Sequence, residues 1–493
     1  MTSLNTVRSV AIIGAGPCGL AAAKYLLAEK CFYKIDIFEQ RSRVGGVWIH
    51  TPAADKAKIA IPVPQLNPHP PPEEPIWHST SEGRREATFV SPLYSRMETN
   101  IPKMIMEYAE KPFPADLQLF PKAEEVLEYI EQYAEDVKHL IRFETQVQEV
   151  KIEDPSRSTW ALTRKDLRSG QISTETYDAV VAANGHYSVP YIPAIKGIES
   201  WNEAYPGVIS HSKVYDSPDA FRDKKVVIVG NSASAIDIGN QIAQVCQQPL
   251  HVAQRSESGV FLPTIPTDRV VHGEIMEFLS PATSDRGIRF ADGSTEDKID
   301  AIVFCTGYFY AYPFLSSLEP PVVRDGSRAL NIYQQMFYIE HPTLVFPVLP
   351  QRVTPFHLAE NQAAVFARVW AGRLKLPSKA DMKAWEDSVV AEKGPGKSFH
   401  LLPYPLDAEY LNFLYDWAAT AELRPGLDND GRGKMGVRWG GKERWIRSHF
   451  PEIRKAFSSK GDQRHSIRTV EQLGFDPDSW RKELEGQEPL VNI

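Results

Sequence analysis

Two stretches of this chain carry small residues at a spacing that suits phosphate binding. The first reads Gly14-Ala15-Gly16-Pro17-Cys18-Gly19 and follows the apolar run Val10 to Ile13. In such a turn the first glycine permits the tight bend. The second lets backbone N–H groups approach a pyrophosphate, and the third lets strand and helix pack closely. Twenty-five residues beyond Gly14 stands Glu39, followed by Gln40. A carboxylate at that strand end accepts hydrogen bonds from both adenosine ribose hydroxyls and repels a 2′-phosphate, so this turn suits FAD or NAD and not NADP. The second stretch reads Gly230-x-Ser232-Ala233-Ser234-Ala235, and Arg255-Ser256 again lies 25 residues beyond its first glycine. Arginine, with a serine hydroxyl beside it, suits a 2′-phosphate. Opposite charges at equivalent positions of an internal repeat therefore predict FAD in one unit and NADPH in the other.

The elements that must position these residues are legible as well. Each turn joins an apolar strand to a helix, the first alanine-rich, whose orphan N–H groups and dipole favour negative charge. Gly45-Gly46-Val47-Trp48 reads as a flexible turn with an aromatic, suited to passing close to a flavin. Thr99-Asn100-Ile101-Pro102 reads as the N-cap and first turn of a helix, so from spacing alone Asn100 is a cap. An amphipathic helix is expected within 117–133, a strand around 141–147 and an antiparallel excursion over 151–177. Two buried strands, ending at Asn184-Gly185 and at Thr306-Gly307, read as the places where the chain passes between nested domains; Asn184 tolerates positive φ there. The predicted fold is α/β, two Rossmann-like dinucleotide-binding domains with the smaller inserted in the larger. Residues 1–210 form the first part of the FAD domain, 211–310 the NADPH domain, and 311–493 the second part with a C-terminal helical region. The aromatics of that region (Tyr404, Tyr410, Phe413, Tyr415, Trp417) read as core.

Composition narrows the class. At 493 residues the chain is too long for one ordinary core. A net charge of −8 with no basic cluster argues against a nucleic-acid partner. Four dispersed cysteines, without a close pair, read as buried free thiols in a reducing compartment. The 13 histidines show no ligand spacing, so no metal is expected. No membrane span and no targeting segment are expected, which makes cytoplasm the default compartment. The candidate assembly is a homodimer.

The motifs together resemble the flavin-containing monooxygenases, the fungal ones in particular. Tyr205-Pro-Gly207-Val-Ile-Ser-His211-Ser-Lys-Val-Tyr215 is similar to that family's FxGxxxHxxxY signature, with tyrosine leading. Baeyer–Villiger relatives usually end it with tryptophan and proline, where this chain has Tyr215-Asp216. SRMETNIPK, GHYSVP, CTGY and HPTLVFPVLPQ extend the resemblance over nearly the whole chain. It implies an NADPH- and O2-dependent enzyme, of the N,N-dimethylaniline monooxygenase kind, whose C4a-hydroperoxyflavin oxygenates a soft nitrogen or sulfur nucleophile of a small molecule. Oxygenation of a ketone and a flavin-binding interaction protein without turnover are the alternatives. FAD contacts are implied at Gly14, Gly16, Pro17, Cys18, Gly19, Glu39, Gln40, Gly46, Val47, Trp48, Thr99, Asn100 and Val147. NADPH contacts are implied at Gly230, Ser232, Ala233, Ser234, Arg255 and Ser256. Asn100, Tyr215 and His211 are the implied catalytic residues: Asn100 at the flavin–nicotinamide region, Tyr215 near the nicotinamide end, and His211 in reach of domain placement.

Overall fold

The computed structural model describes residues 7–79, 83, 85–154, 159–255 and 268–481. The strand Ser9–Ile13 lies inside a seven-stranded sheet, parallel to Lys34–Phe38 on one side and to Ala179–Ala182 on the other. All five of its residues are buried. A parallel strand covered on both faces reads as an uninterrupted apolar run, which is why VAII shows no alternation. Leu344–Val345 continues the sheet beyond Ala179–Ala182, and Ile141–Arg142 continues it beyond Lys34–Phe38. A second sheet of five parallel strands has the order Ile209–His211, Ala301–Phe304, Val226–Val229, Leu250–Ala253, Arg269–His272. Val226–Val229 lies between its neighbours as Ser9–Ile13 does, so the sequence repeat is a repeat of topology.

The second sheet is built from a segment inserted between strands of the first. The two crossings, Val189–Pro190 and Tyr308–Phe309, pair antiparallel, with Val189 opposite Phe309 and Pro190 opposite Tyr308. The excursion predicted over 151–177 is a three-stranded antiparallel sheet of Thr145–Asp154, Thr159–Asp166 and Ile172–Tyr177. The strand expected around 141–147 is broken at Glu144, which takes φ 49°. The break lets Ile141–Arg142 join the parallel sheet and Thr145–Asp154 leave it.

One helix organises the larger unit. Pro355–Trp370 is buried along its whole length after the first residue and packs on the helix Pro17–Ala28. Its polar residues are satisfied by the backbone that straps over it. Asn361 donates to the carbonyls of Leu411 and Val437 and accepts from the Val437 amide, and Gln362 accepts from the Val348 amide. Glu360, fully buried, accepts from the Ala109 amide at 2.8 Å and from the Tyr133 hydroxyl at 3.3 Å. Burial pushes its carboxyl up to about 7. The folded chain therefore binds a proton there that the unfolded chain, titrating near about 4.3, has released. This group's contribution to stability is greatest below that value and is lost as pH rises through about 7. Glu360→Gln should flatten that slope and raise stability near pH 8 by on the order of 1–3 kcal/mol, read as a urea midpoint at acid and at alkaline pH.

Three expectations change. The helix opening at Asn100 is a single 3-10 turn, Lys103–Ile105, with Pro102 and not Asn100 at its N-cap. The C-terminal aromatics are core only in part: Tyr404, Tyr410 and Trp417 pack half-buried against the main core, while Tyr415 is half-buried outside it and Phe413 is exposed. Phe413 and Trp417 line a surface cavity of about 730 Å³ with Tyr333 and Leu376. All four cysteines are free, but only Cys246 and Cys305 are buried; Cys18 and Cys31 are half-buried. Among the described residues no helix is long and apolar enough to cross a membrane.

Candidate functional site

The first glycine turn closes on itself. Gly14, at φ +104°, donates its amide to the Phe38 carbonyl at 2.8 Å, and a Cβ there would lie 2.6 Å from the Ala183 carbonyl oxygen. At Gly19 a Cβ would fall 2.0 Å from the Gly14 carbonyl oxygen, so only glycine lets the helix approach the strand. Gly46 leans on Gly16, where an added Cβ would stand 3.0 Å from the Gly16 Cα, and the Gly45 amide donates to the Ala15 carbonyl. The 3-10 turn Gly46–Trp48 is thereby fastened to the glycine loop. Ser91 donates to the Val47 carbonyl from the other side.

Pro17 opens the helix, and its first turn carries no acidic residue and no side-chain cap, so the positive end faces outward unopposed. Cys18 lies within that turn, and burial pushes its thiol up to about 12. It is a neutral wall and not a thiolate.

Glu39 is 3% exposed and is held by two amides: Oε2 accepts from Ala15 at 2.8 Å, Oε1 from Arg41 at 2.9 Å. Its carboxylate therefore sits at the glycine loop, where a dinucleotide's ribose hydroxyls belong. Gln40 accepts from Gln146, next to the buried Val147. A turn that excludes a Cβ at Gly14 and Gly19, an open helix N-terminus and an oriented carboxylate together fit an adenine dinucleotide without a 2′-phosphate.

The second turn repeats the first atom for atom at its opening. Gly230, at φ +123°, donates to the Ala253 carbonyl at 2.9 Å, and its missing Cβ would lie 2.8 Å from the Cys305 carbonyl oxygen. Ser232 is the N-cap residue of the helix Ala233–Ile242, with its hydroxyl not engaged in capping. Ser232, Ala233 and Ser234 are all exposed, in contrast to the largely buried first loop. Arg255 projects into solvent, its side chain 86% exposed, and pairs with Glu274 at 3.0 Å. An exposed pair of this kind is worth little and yields to a phosphate. Ser256 lies outside the described residues. Arg255→Ala should lower kcat/KM for NADPH by about 10- to 100-fold while leaving that for NADH nearly unchanged, since one charge-assisted contact is worth about 1.5–3 kcal/mol. Steady-state kinetics with both nucleotides measures it.

The three residues expected to be catalytic stand in different surroundings. His211 is fully buried; its Nδ1 accepts from the Lys213 amide at 3.0 Å, so Nε2 carries the proton and donates to the Gly307 carbonyl at 3.1 Å. Burial pushes its pKa down to about 3. It is a neutral clip that holds the second crossing and does not exchange protons at neutral pH. Tyr215 is packed inside the second unit's core, edge-on to Tyr94 at 5.4 Å, and its hydroxyl donates to Gln241 at 3.0 Å. That places its ring within the packing of the second unit. Asn100 is exposed, in a loop tied down by Thr99, whose hydroxyl donates to the Ile101 carbonyl and whose carbonyl accepts from Arg454.

Two residues at the end of the strand Ala179–Ala182 join the site without a motif that marks them as candidates. Asn184 donates to the carbonyls of Gly185 and Ala311 at 3.2 Å, tying one crossing to the other, but its Oδ1 is buried without a partner among the described residues. The positive φ of this turn falls on Gly185, not on Asn184. His186 is 8% exposed, its Nε2 is likewise unpartnered, and burial pushes its pKa down to about 4. Ligands of open parallel sheets bind outside the carboxyl ends of the strands, where these two stand. A run of rings continues from here: His186 on Tyr187 at 4.4 Å, Tyr187 on Tyr308 at 5.7 Å, and Tyr308 on His211 at 5.2 Å. In the sequence the Asn-Gly pair reads as a turn, and the GHYSVP segment that carries His186 enters the family resemblance without assigning that histidine a role.

Comparison with known proteins agrees with this geometry. The profile of the flavin-binding monooxygenase-like family matches residues 76–286 and 268–428, and that of an NAD(P)-binding Rossmann-like domain matches residues 12–78. The chain is 34% identical over 431 residues to flavin-containing monooxygenase FMO GS-OX-like 2 of Arabidopsis thaliana, covering 84% of this chain and 85% of that one. It is 28% identical over 466 residues to flavin-containing monooxygenase ustF2 of Aspergillus flavus, covering 85% and 93%. Among solved structures, S-allyl-L-cysteine S-oxygenase from Allium sativum superposes with a TM-score of 0.72 at 28% identity, over 98% of this chain and 100% of that one.

Proposed function

Because this chain belongs to the flavin-binding monooxygenase-like family, whose members use FAD and NADPH, we propose that it transfers one oxygen atom of O2 to the sulfur of a small thioether or thiol. The flavin, when bound, supplies the activation of O2 with electrons drawn from NADPH. The chain's own residues do the rest. Glu39 holds the ribose of FAD, and the glycine loop with the helix that follows Pro17 holds its phosphates. Arg255 and the exposed amides at Ser232 to Ser234 hold NADPH. The burial of the first cradle and the exposure of the second suit a resident FAD and an exchanging NADPH. Asn100 donates a hydrogen bond at the reacting end, while His211 and Tyr215 act as positioning residues that hold the second unit in register. Asn184 Oδ1 and His186 Nε2, buried without a partner among the described residues, offer polar groups just beyond the carboxyl end of the strand Ala179–Ala182.

Sulfur is favoured by one observation, the end-to-end likeness to a solved S-oxygenase, which leaves almost no part of either fold unmatched. Tyr215-Asp216, standing where ketone-oxygenating relatives carry tryptophan and proline, supports the same reading. The test offers the holoenzyme a thioether, a tertiary amine and a cyclic ketone under NADPH and O2. Sulfoxide formed in step with NADPH consumed is the expected result. Ester from the ketone, or amine oxide alone, overturns it. In the same assay Asn100→Asp should divert NADPH from sulfoxide to hydrogen peroxide by about tenfold, the upper worth of one neutral hydrogen bond.

A further inference from the structure

Outside the two cradles, the second unit brings together three side chains that share no sequence motif. His251 lies on the strand Leu250–Ala253, His272 ends the strand Arg269–His272, and Glu296 ends the strand Thr295–Glu296 of the neighbouring antiparallel sheet. We propose that His251, His272 and Glu296 form a zinc site that ties this antiparallel sheet to the parallel strands Leu250–Ala253 and Arg269–His272.

The geometry is that of a nearly assembled site. His251 Nδ1 is 3.0 Å from His272 Nε2 and 3.9 Å from Glu296 Oε1, and one ligand atom from each residue lies within 4.8 Å of the others. Zinc bonds of about 2.0–2.1 Å at tetrahedral angles place ligand atoms about 3.4 Å apart. The imidazoles must part by a few tenths of an ångström, and Glu296 must bring Oε1 inward while Lys225 keeps hold of Oε2.

The surroundings are those that orient metal ligands. The other nitrogen of His272, Nδ1, faces the Ser294 hydroxyl at 3.4 Å, which in turn donates to Asp292 at 2.6 Å. The His272 ring stacks on Phe290 at 3.9 Å. Lys225 binds the second carboxylate oxygen of Glu296 at 2.6 Å and is itself anchored on the Asp297 carbonyl at 2.9 Å. Such outer contacts set ring orientation and ligand basicity. Both residues are more than nine-tenths buried, and their facing nitrogens, His251 Nδ1 and His272 Nε2, share one hydrogen bond that an entering ion would replace. A cavity of about 290 Å³, lined by His251, Glu296, Lys225 and Gln248, gives the ion a way in and room for a water as fourth ligand. Two imidazoles with one carboxylate suit zinc better than magnesium or calcium, which take oxygen ligands.

The test titrates chelator-treated holoenzyme, with its flavin retained, with Zn2+ and separately with Co2+. One equivalent bound per chain, a ligand-field band for Co2+ at longer wavelength than the flavin, and a higher melting temperature with Zn2+ are expected. Glu296→Gln and His251→Asn should weaken binding by about 10- to 100-fold and alter the cobalt band. The Asp292→Asn variant, which leaves all three ligands in place, should weaken it less. No uptake by the wild-type holoenzyme overturns the proposal, and so does uptake that both ligand variants leave unchanged while retaining flavin.

Discussion

Gly19→Ala is expected to yield a protein that no longer retains flavin, although it adds a single methyl group. The added Cβ falls 2.0 Å from a backbone oxygen of the glycine loop, which no rotamer relieves, so the helix must leave the strand. Displacing it withdraws the amides that would face the pyrophosphate. Overpacking of this kind costs about 1–3 kcal/mol in the fold. The same displacement should lower FAD affinity by about 100-fold or more, since every 1.4 kcal/mol is a factor of about ten. Flavin absorbance relative to protein absorbance after purification reads the outcome. The matching change in the second unit, Gly230→Ala, sets a Cβ 2.8 Å from the Cys305 carbonyl oxygen. It should spare flavin and abolish saturation by NADPH. A yellow Gly19→Ala protein with normal flavin content would refute the assignment of the first cradle.

The largest stability effect is expected at a buried ion pair remote from both cradles. Glu29, which ends the helix Pro17–Ala28, receives two bonds from Arg373, Nε to Oε2 at 2.8 Å and NH2 to Oε1 at 2.6 Å. The side chains of Arg373 and Glu29 are 3% and 1% exposed. Arg373 also donates to the Glu422 carbonyl at 2.6 Å, so the pair joins the first helix to the C-terminal region. Arg373→Met leaves a carboxylate buried and unpaired and should cost about 3–5 kcal/mol. Adding Glu29→Gln should recover much of that loss, because the penalty belongs to the orphaned charge more than to the missing bond. Urea unfolding of the single and double variants separates the two contributions. A single variant within about 1 kcal/mol of wild type would show that water reaches the pair.

Local chemistry accounts for what is legible in the order of residues. Both glycine turns, the helices they open and the opposite charges 25 residues on are short-range features, and the requirement for a missing Cβ is written in residue type. The fold adds why that requirement exists: the carbonyls of Ala183 and Cys305, from strands far along the chain, press on Gly14 and Gly230. Residues whose meaning depends on distant partners read differently. Asn100 reads as a helix cap because Thr-Asn-Ile-Pro is a capping pattern, yet the chain turns only once there, and Lys103 donates its amide to the Leu119 carbonyl. Tyr215 and His211 stand in a signature suggestive of chemistry. Tertiary packing gives one to the second core and the other to the Gly307 carbonyl. Phe413 and its neighbours read as core by composition, but nothing in a run of aromatics says which face another element will cover.

Two dinucleotide cradles, their order and the charge each offers follow from residue order alone, because backbone turns and strand ends are set within a few residues. Which polar groups are buried, and what they meet, follows instead from the packing of segments far apart in the chain. Glu360, His186, Asn184 and the His251–His272–Glu296 cluster are residue types usually found at the surface until distant segments close over them. Burial then sets the protonation of Glu360 and His186, and no local pattern encodes it.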